Sequence, residues 1–130
     1  MSRKLNRIGL ATVLAAALSL ASVAAIAADA SGVWLRDTGA SKVKIAACGA
    51  ALCGHIVWLK DAATSPAKLG EKIFFDMKPD GDNYWAGSAY NPEDGKTYTG
   101  KMALSGNTLT TKGCVFGGLV CKSVTWSRSN

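Results

Sequence analysis

Beyond Ala28 the 130-residue chain has no apolar pattern at helical spacing that lasts longer than two turns. That excludes a helix bundle and leaves no amphipathic helix to cover one face of a sheet. The one helix-compatible stretch, Asp61 to Gly70, is interrupted by Pro66. Histidine is nearly absent: only His55 occurs, directly after Cys53-Gly54 and with no partner near it in sequence. Nothing nominates a general base, a catalytic residue or an imidazole metal site, and His55 reads as a solvent-facing strand residue. There is no Cys-x-x-Cys motif, and no cysteine precedes Cys48, which removes the usual redox motif and an N-terminal lipid anchor. Basic residues form no stripe, because Lys42, Lys44, Lys60, Lys68, Lys72, Lys78, Lys96, Lys101, Lys112 and Lys122 stand apart and are interleaved with acids. Nucleic acid is therefore not an expected partner. The acidic loop Asp76 to Asp82 has Lys78 and Gly87 where an EF-hand places oxygen donors, so it reads as a Pro-Asp-Gly turn. Neither a metal nor a cofactor is expected.

What is present is enough to fold. A composition of 48% hydrophobic and 18% charged residues is too apolar for a disordered chain, and the length suits one domain. Three basic residues, Arg3, Lys4 and Arg7, precede an apolar run from Ile8 to Ala28 that includes Ala25-Ile26-Ala27. This is the layout of a secretory signal, with small residues three and one before the cut, so residues 1–27 read as a cleaved signal and 28–130 as the mature domain. A retained membrane anchor is the competing reading, since the run could just span a bilayer. It is disfavoured by the alanine content, the cleavage motif and the lack of a basic stop signal. The expected address is the periplasm or the exterior, with no stable membrane insertion after cleavage. Taking three from the 15 basic residues leaves 12 against 9 acids, a mature net charge of +3.

All four cysteines lie in the exported part as two close pairs, Cys48 with Cys53 and Cys114 with Cys121. An oxidising compartment makes disulfides the default. Of the three pairings the local one is preferred, because each pair flanks a turn-like stretch and would clamp a hairpin. The six residues within the second pair are too many for the usual zinc spacing.

Short runs rich in Val, Ile, Thr and aromatics recur at about 32–36, 41–47, 53–60, 72–78, 83–91, 96–104, 107–114 and 121–128. Asp80-Gly81, Asn91 to Gly95, and Ser105-Gly106-Asn107 supply turn chemistry between them. Alternation assigns Val43, Ile45 and Ala47, then Ile73, Phe75 and Met77, then Tyr98, Met102 and Leu104, then Val124 and Trp126 to a buried face. Lys42, Lys44, Lys72, Thr97, Thr99, Lys101 and Thr125 read as the wet face. Such a sheet closes into a barrel or folds into a sandwich. Sequential short hairpins favour the barrel, which leaves no unpaired edge.

Gly32-Val33-Trp34 opens the first strand, and Arg128 follows Trp126-Ser127 at the end of the last. In lipocalin-like barrels a Gly-x-Trp packs beneath an Arg from the last strand and closes one end, through a guanidinium on an indole face. Taken with CGAALCGHIVWLKD (Cys48 to Asp61), AYNPEDGKTYTGKMAL (Ala89 to Leu104) and GCVFGGLVCKSVTWSR (Gly113 to Arg128), the chain resembles the bacterial domain of unknown function 2147 family. The resemblance covers nearly all of residues 32 to 128. It implies an all-β fold, a small up-and-down antiparallel eight-stranded lipocalin-like (calycin-like) barrel, with Trp34 and Arg128 as the closing pair and no established activity. One departure matters: Ala62 to Lys72 lacks the Arg that relatives carry after the third strand.

The aromatic residues all lie beyond Ala28. They either fill the barrel or line a pocket, and Trp58, Phe75, Tyr90, Tyr98, Met102 and Trp126 are the candidate lining. Two readings of the function follow. One is a non-enzymatic module that binds a small hydrophobic ligand at an open barrel end. The other is an envelope structural or interaction protein with a filled barrel. Interior volume separates them.

Overall fold

The computed structural model describes residues 29–129; the expected signal segment, residues 1–27, lies outside them. Eight antiparallel strands run in chain order: β1 (Gly32–Arg36), β2 (Ser41–Cys48), β3 (Ala51–Leu59), β4 (Lys72–Pro79), β5 (Tyr84–Asn91), β6 (Lys96–Ser105), β7 (Thr108–Val115) and β8 (Val120–Ser129). Each pairs with the next, and β8 pairs back onto β1, with Trp34 opposite Arg128 and Arg36 opposite Trp126. The result is a closed eight-stranded barrel without a free edge, as the run of hairpins predicts. Among the described residues the only helical element is one short 3₁₀ turn at Phe116–Gly118, and no helix is long and apolar enough to cross a membrane.

The turns close through the chemistry their residues offer. The Asp80 amide donates to the Tyr84 carbonyl at 2.8 Å. Asn91 accepts the Gly95 amide on its backbone oxygen at 2.8 Å and the Glu93 amide on its side chain at 2.9 Å, an Asx turn. The longer connection from Lys60 to Glu71 is tied back to β3, since the Ile56 amide donates to Glu71 and the Gly70 amide to Ile56. That return brings residues 64 to 67 over one end of the barrel.

The core is concentrated toward the end where β1 begins. Trp34, Val43, Met77 and Leu109 are completely inaccessible, and Ile45 and Met102 nearly so. Burying side chains of this size stabilises the fold by roughly 1.5 to 3 kcal/mol each. Val43 and Ile45 face inward as alternation predicts. Ala47 does not stay buried: it is exposed, because the β2–β3 hairpin projects past the barrel end.

On β4 strict alternation fails. Phe74, and not Phe75, is buried beside Met77. The pairing explains this, because Phe75 faces Ser88 and Lys78 faces Ala86, leaving Asp76 and Met77 opposite the single residue Gly87. The extra residue, with Asp76 at φ 48°, is a β-bulge that inverts the phase of the strand. Gly87 permits it, since a Cβ there would lie 2.4 Å from the Phe75 carbonyl oxygen and 2.5 Å from that of Asp76. A second irregularity, between Lys42 and Val43, sets Val43 against Ile56 but Lys42 against Trp58. Val57 is therefore the extra residue, and Trp58 turns to the outer face.

Candidate functional site

The two barrel ends are built differently. At the first, Trp34 lies beneath Arg128, whose guanidinium carbon is 4.3 Å from the indole centroid. Every nitrogen of that guanidinium is engaged: Nε donates to Asn107 Oδ1 at 3.1 Å, Nη1 to the Ser31 carbonyl at 3.0 Å and Nη2 to the Asp29 carbonyl at 3.3 Å. The indole N–H of Trp34 donates to the Ala30 carbonyl at 2.8 Å. Gly32 belongs to the same device. It sits at φ 131°, and a Cβ there would lie 3.0 Å from Arg128 Nη1, so only glycine lets the strand start under the guanidinium. Outside this end, a depression of about 770 Å³ lies between the β2–β3 and β4–β5 turns.

The other end is open. A cavity of about 620 Å³ enters the barrel there, and every strand contributes to its wall. Ile56, Ile73, Phe74, Val124 and Trp126 make it apolar, and the loop residues Thr64 to Ala67 lean over its mouth. Trp126 is held in place by two contacts. Its indole N–H donates to the buried Thr111 hydroxyl at 2.9 Å, and the Phe74 ring meets it edge-on at 6.2 Å between centroids. Fixed aromatic walls of this kind preserve a cavity's shape, since neither ring rotates without breaking a contact. At the rim, Tyr98 donates its hydroxyl hydrogen to Asp94, whose other carboxylate oxygen accepts the Lys96 amide at 2.9 Å. The Tyr98 hydrogen bond holds the Asp94 carboxyl below its ordinary value, and the same bond raises the Tyr98 phenol.

Of the six residues expected to line a pocket, Tyr90, Tyr98 and Trp126 do so. Met102 is sealed in the core, at 1% exposure. Trp58 and Phe75 are on the outer surface, each covered by a lysine: Lys42 Nζ is 5.5 Å from the Trp58 ring and Lys72 Nζ is 5.0 Å from the Phe75 ring. The bulges described above moved them there. His55 is exposed. The four cysteines form the local bridges, Cys48–Cys53 within the β2–β3 hairpin and Cys114–Cys121 within β7–β8. Cys114 and Cys121 sit directly opposite in register, so the second bridge clamps a hairpin at the cavity mouth.

Sequence reasoning missed Arg36, Ser41 and Thr111, three polar residues on the strand walls of the cavity. Arg36 was within reach. Trp34 faces the interior, and period-two alternation then puts Arg36 on the same face. A charged residue on an interior face is uncommon in a strand.

The fold finds a counterpart among solved structures in a protein described as "Protein HP1028 from the human pathogen Helicobacter pylori belongs to the lipocalin family". The likeness covers 78% of this chain and 84% of that one at 20% identity, with a TM-score of 0.61. It shows the barrel architecture alone. No curated protein matches in sequence. A family model described as "Uncharacterized protein conserved in bacteria (DUF2147)" matches residues 32–128, which is β1 through β8 almost in full, and the chain belongs to that family.

Proposed function

We propose that this protein is an exported, non-catalytic carrier or sensor that holds a small hydrophobic ligand in the open end of its barrel. The observation that carries the reading is the cavity itself. At about 620 Å³ it falls within the ~300 to 1,000 Å³ typical of small-molecule sites, and it combines mostly apolar walls with a few polar groups, as such sites do. Export is supported by the signal-like N-terminus and by two disulfides, which persist in oxidising compartments. A binding role is favoured over catalysis because Thr111 is engaged by Trp126 and the one histidine lies on the outer surface. Neither residue therefore forms a hydroxyl–imidazole pair inside the cavity.

A second reading, an envelope interaction module, rests on a different observation. The tip between β7 and β8 exposes Phe116 and Leu119 at 77% and 86%, and bare apolar tips of this kind mark contact surfaces. Titration of the tryptophan emission with lipophilic probes tests the first reading. Trp126 lines the cavity, so binding there produces a saturable change that Trp126→Phe reduces. A flat titration with every probe would leave the interaction module as the better reading.

A further inference from the structure

We infer that the cavity selects ligands bearing a singly charged anionic head on an apolar tail, and that Arg36 is the residue that holds the head. This rests on the ligand-binding reading above and narrows its chemistry.

Arg36 ends β1, two residues beyond Trp34 on the same interior face, and lines the open-end cavity. Across the β1–β8 ladder it faces Trp126. On its other side the β1–β2 register, in which Leu35 faces Lys42, brings it next to Ser41, a buried serine on the cavity wall. The Nε of Arg36 is sealed from solvent and has no hydrogen-bond partner among the described residues. Burying an unpaired donor of a charged group is costly relative to its hydrated state, so a guanidinium normally finds an acceptor or stays in water. The same protein shows the ordinary solution at the other end of the barrel, where Arg128 uses Nε, Nη1 and Nη2 on three oxygen acceptors.

An incoming anion would complete Arg36. Guanidinium is planar and always charged, and it binds carboxylates and phosphate esters through parallel N–H donors. Charge at the rim does not compete for this role. Lys60, Lys112 and Lys122 are matched there in number by Asp61, Glu93 and Asp94, and Asp94 is occupied by Tyr98. One interior cation compensates one negative charge, which sets the head at a single charge. The apolar wall made by Phe74, Ile73 and Trp126 takes the tail.

The test is a head-group series at constant tail, followed by tryptophan emission and by calorimetry: decanoate, monomethyl decyl phosphate, 1-decanol and decylammonium. We expect at least one of the two anions to bind about 10- to 100-fold tighter than decanol, the value of a charge-assisted hydrogen bond, and decylammonium to bind weakest. The stronger of the two anions identifies a carboxylate or a phosphodiester head; either supports the assignment. Arg36→Met should remove the preference for anions and leave decanol affinity within about threefold, with Arg36→Lys restoring part of the preference. Equal binding of anion, alcohol and amine by the unaltered protein would overturn the role of Arg36 and leave the hydrophobic-ligand reading standing. Failure of the whole series to bind would overturn both.

Discussion

The two ends of this barrel share one pair of strands and one kind of residue, and they put it to opposite uses. Where β1 begins, Arg128 from β8 covers Trp34 and spends its three nitrogens on protein oxygens. Where β1 ends, Arg36 faces Trp126 and lines the open cavity, and its Nε is sealed from solvent and unpartnered among the described residues. The first arrangement is complete and serves stability. The second is incomplete in the sense that matters for binding, since a buried polar group without a partner gains more from a ligand than one that already has its acceptors. A small domain of this kind closes one end tightly and leaves the other available.

The largest expected effect separates the ends by packing. Trp34→Ala should cost about 3 to 5 kcal/mol in urea unfolding, the value for deleting a buried indole from a filled core. Trp126→Phe should cost less than about 1.5 kcal/mol, because the cavity beside it already lacks packing atoms. A smaller loss at Trp34 than at Trp126 would mean the core is not weighted toward the latched end.

Next come the disulfides, one at each end. Replacing either pair by alanine should cost about 2 to 2.5 kcal/mol, since the closed loops are nearly equal in length. Only loss of Cys114–Cys121, which clamps the cavity mouth, should also weaken ligand binding. Non-reducing peptide mapping supplies the control, and a peptide joining Cys48 to Cys121 would contradict the hairpin register.

The arginines themselves give a smaller and more pointed contrast. Arg128→Ala should destabilise by about 1 to 2 kcal/mol through the lost indole contact and hydrogen bonds. Arg36→Met should be neutral or stabilising in the unliganded protein, because it removes a charged group whose buried Nε has no partner among the described residues. Thermal melts of the two variants, run side by side, decide this. Destabilisation by Arg36→Met as large as that by Arg128→Ala would show that Arg36 is structural.

The smallest effect is at the rim. Asp94 titrates below its ordinary value of 3.8 and Tyr98 above its ordinary 10.0, each because of their shared hydrogen bond. A lowered carboxylate contributes order above its unfolded pKa and loses it as pH falls through the folded one. A raised phenol contributes below its unfolded pKa and loses it as pH rises through the folded one. The rim turn should therefore loosen in acid below pH ~3.8 and in base above pH ~10, and be constant between. In Tyr98→Phe, the Asp94 carboxyl signal in an NMR pH titration should move up toward the ordinary value, whereas Arg128→Ala should not move it.

Much of the architecture was legible beforehand, for identifiable reasons. The strand limits follow from turn residues such as Asn91 to Gly95, whose side-chain and backbone bonds act within a few positions. The local disulfides follow from spacing, and the Trp34–Arg128 latch from a family resemblance. The candidate pocket was only half legible. Tyr90, Tyr98 and Trp126 line it, while Trp58 and Phe75 are outside and Met102 is below. Strict alternation misassigned Phe75, whereas alternation from Trp34 places Arg36 on the interior face.

The residues alone thus determined the class of fold, the order of its hairpins and the cross-links, because each depends on interactions close in sequence or on overall composition. Tertiary structure alone decided which side of the sheet Phe74, Phe75 and Trp58 occupy, and that the Arg36 Nε has no acceptor among the described residues. A bulge exists only relative to a partner strand, as Gly87 is to Asp76 and Met77. An unsatisfied donor likewise exists only once every strand around the cavity is in place.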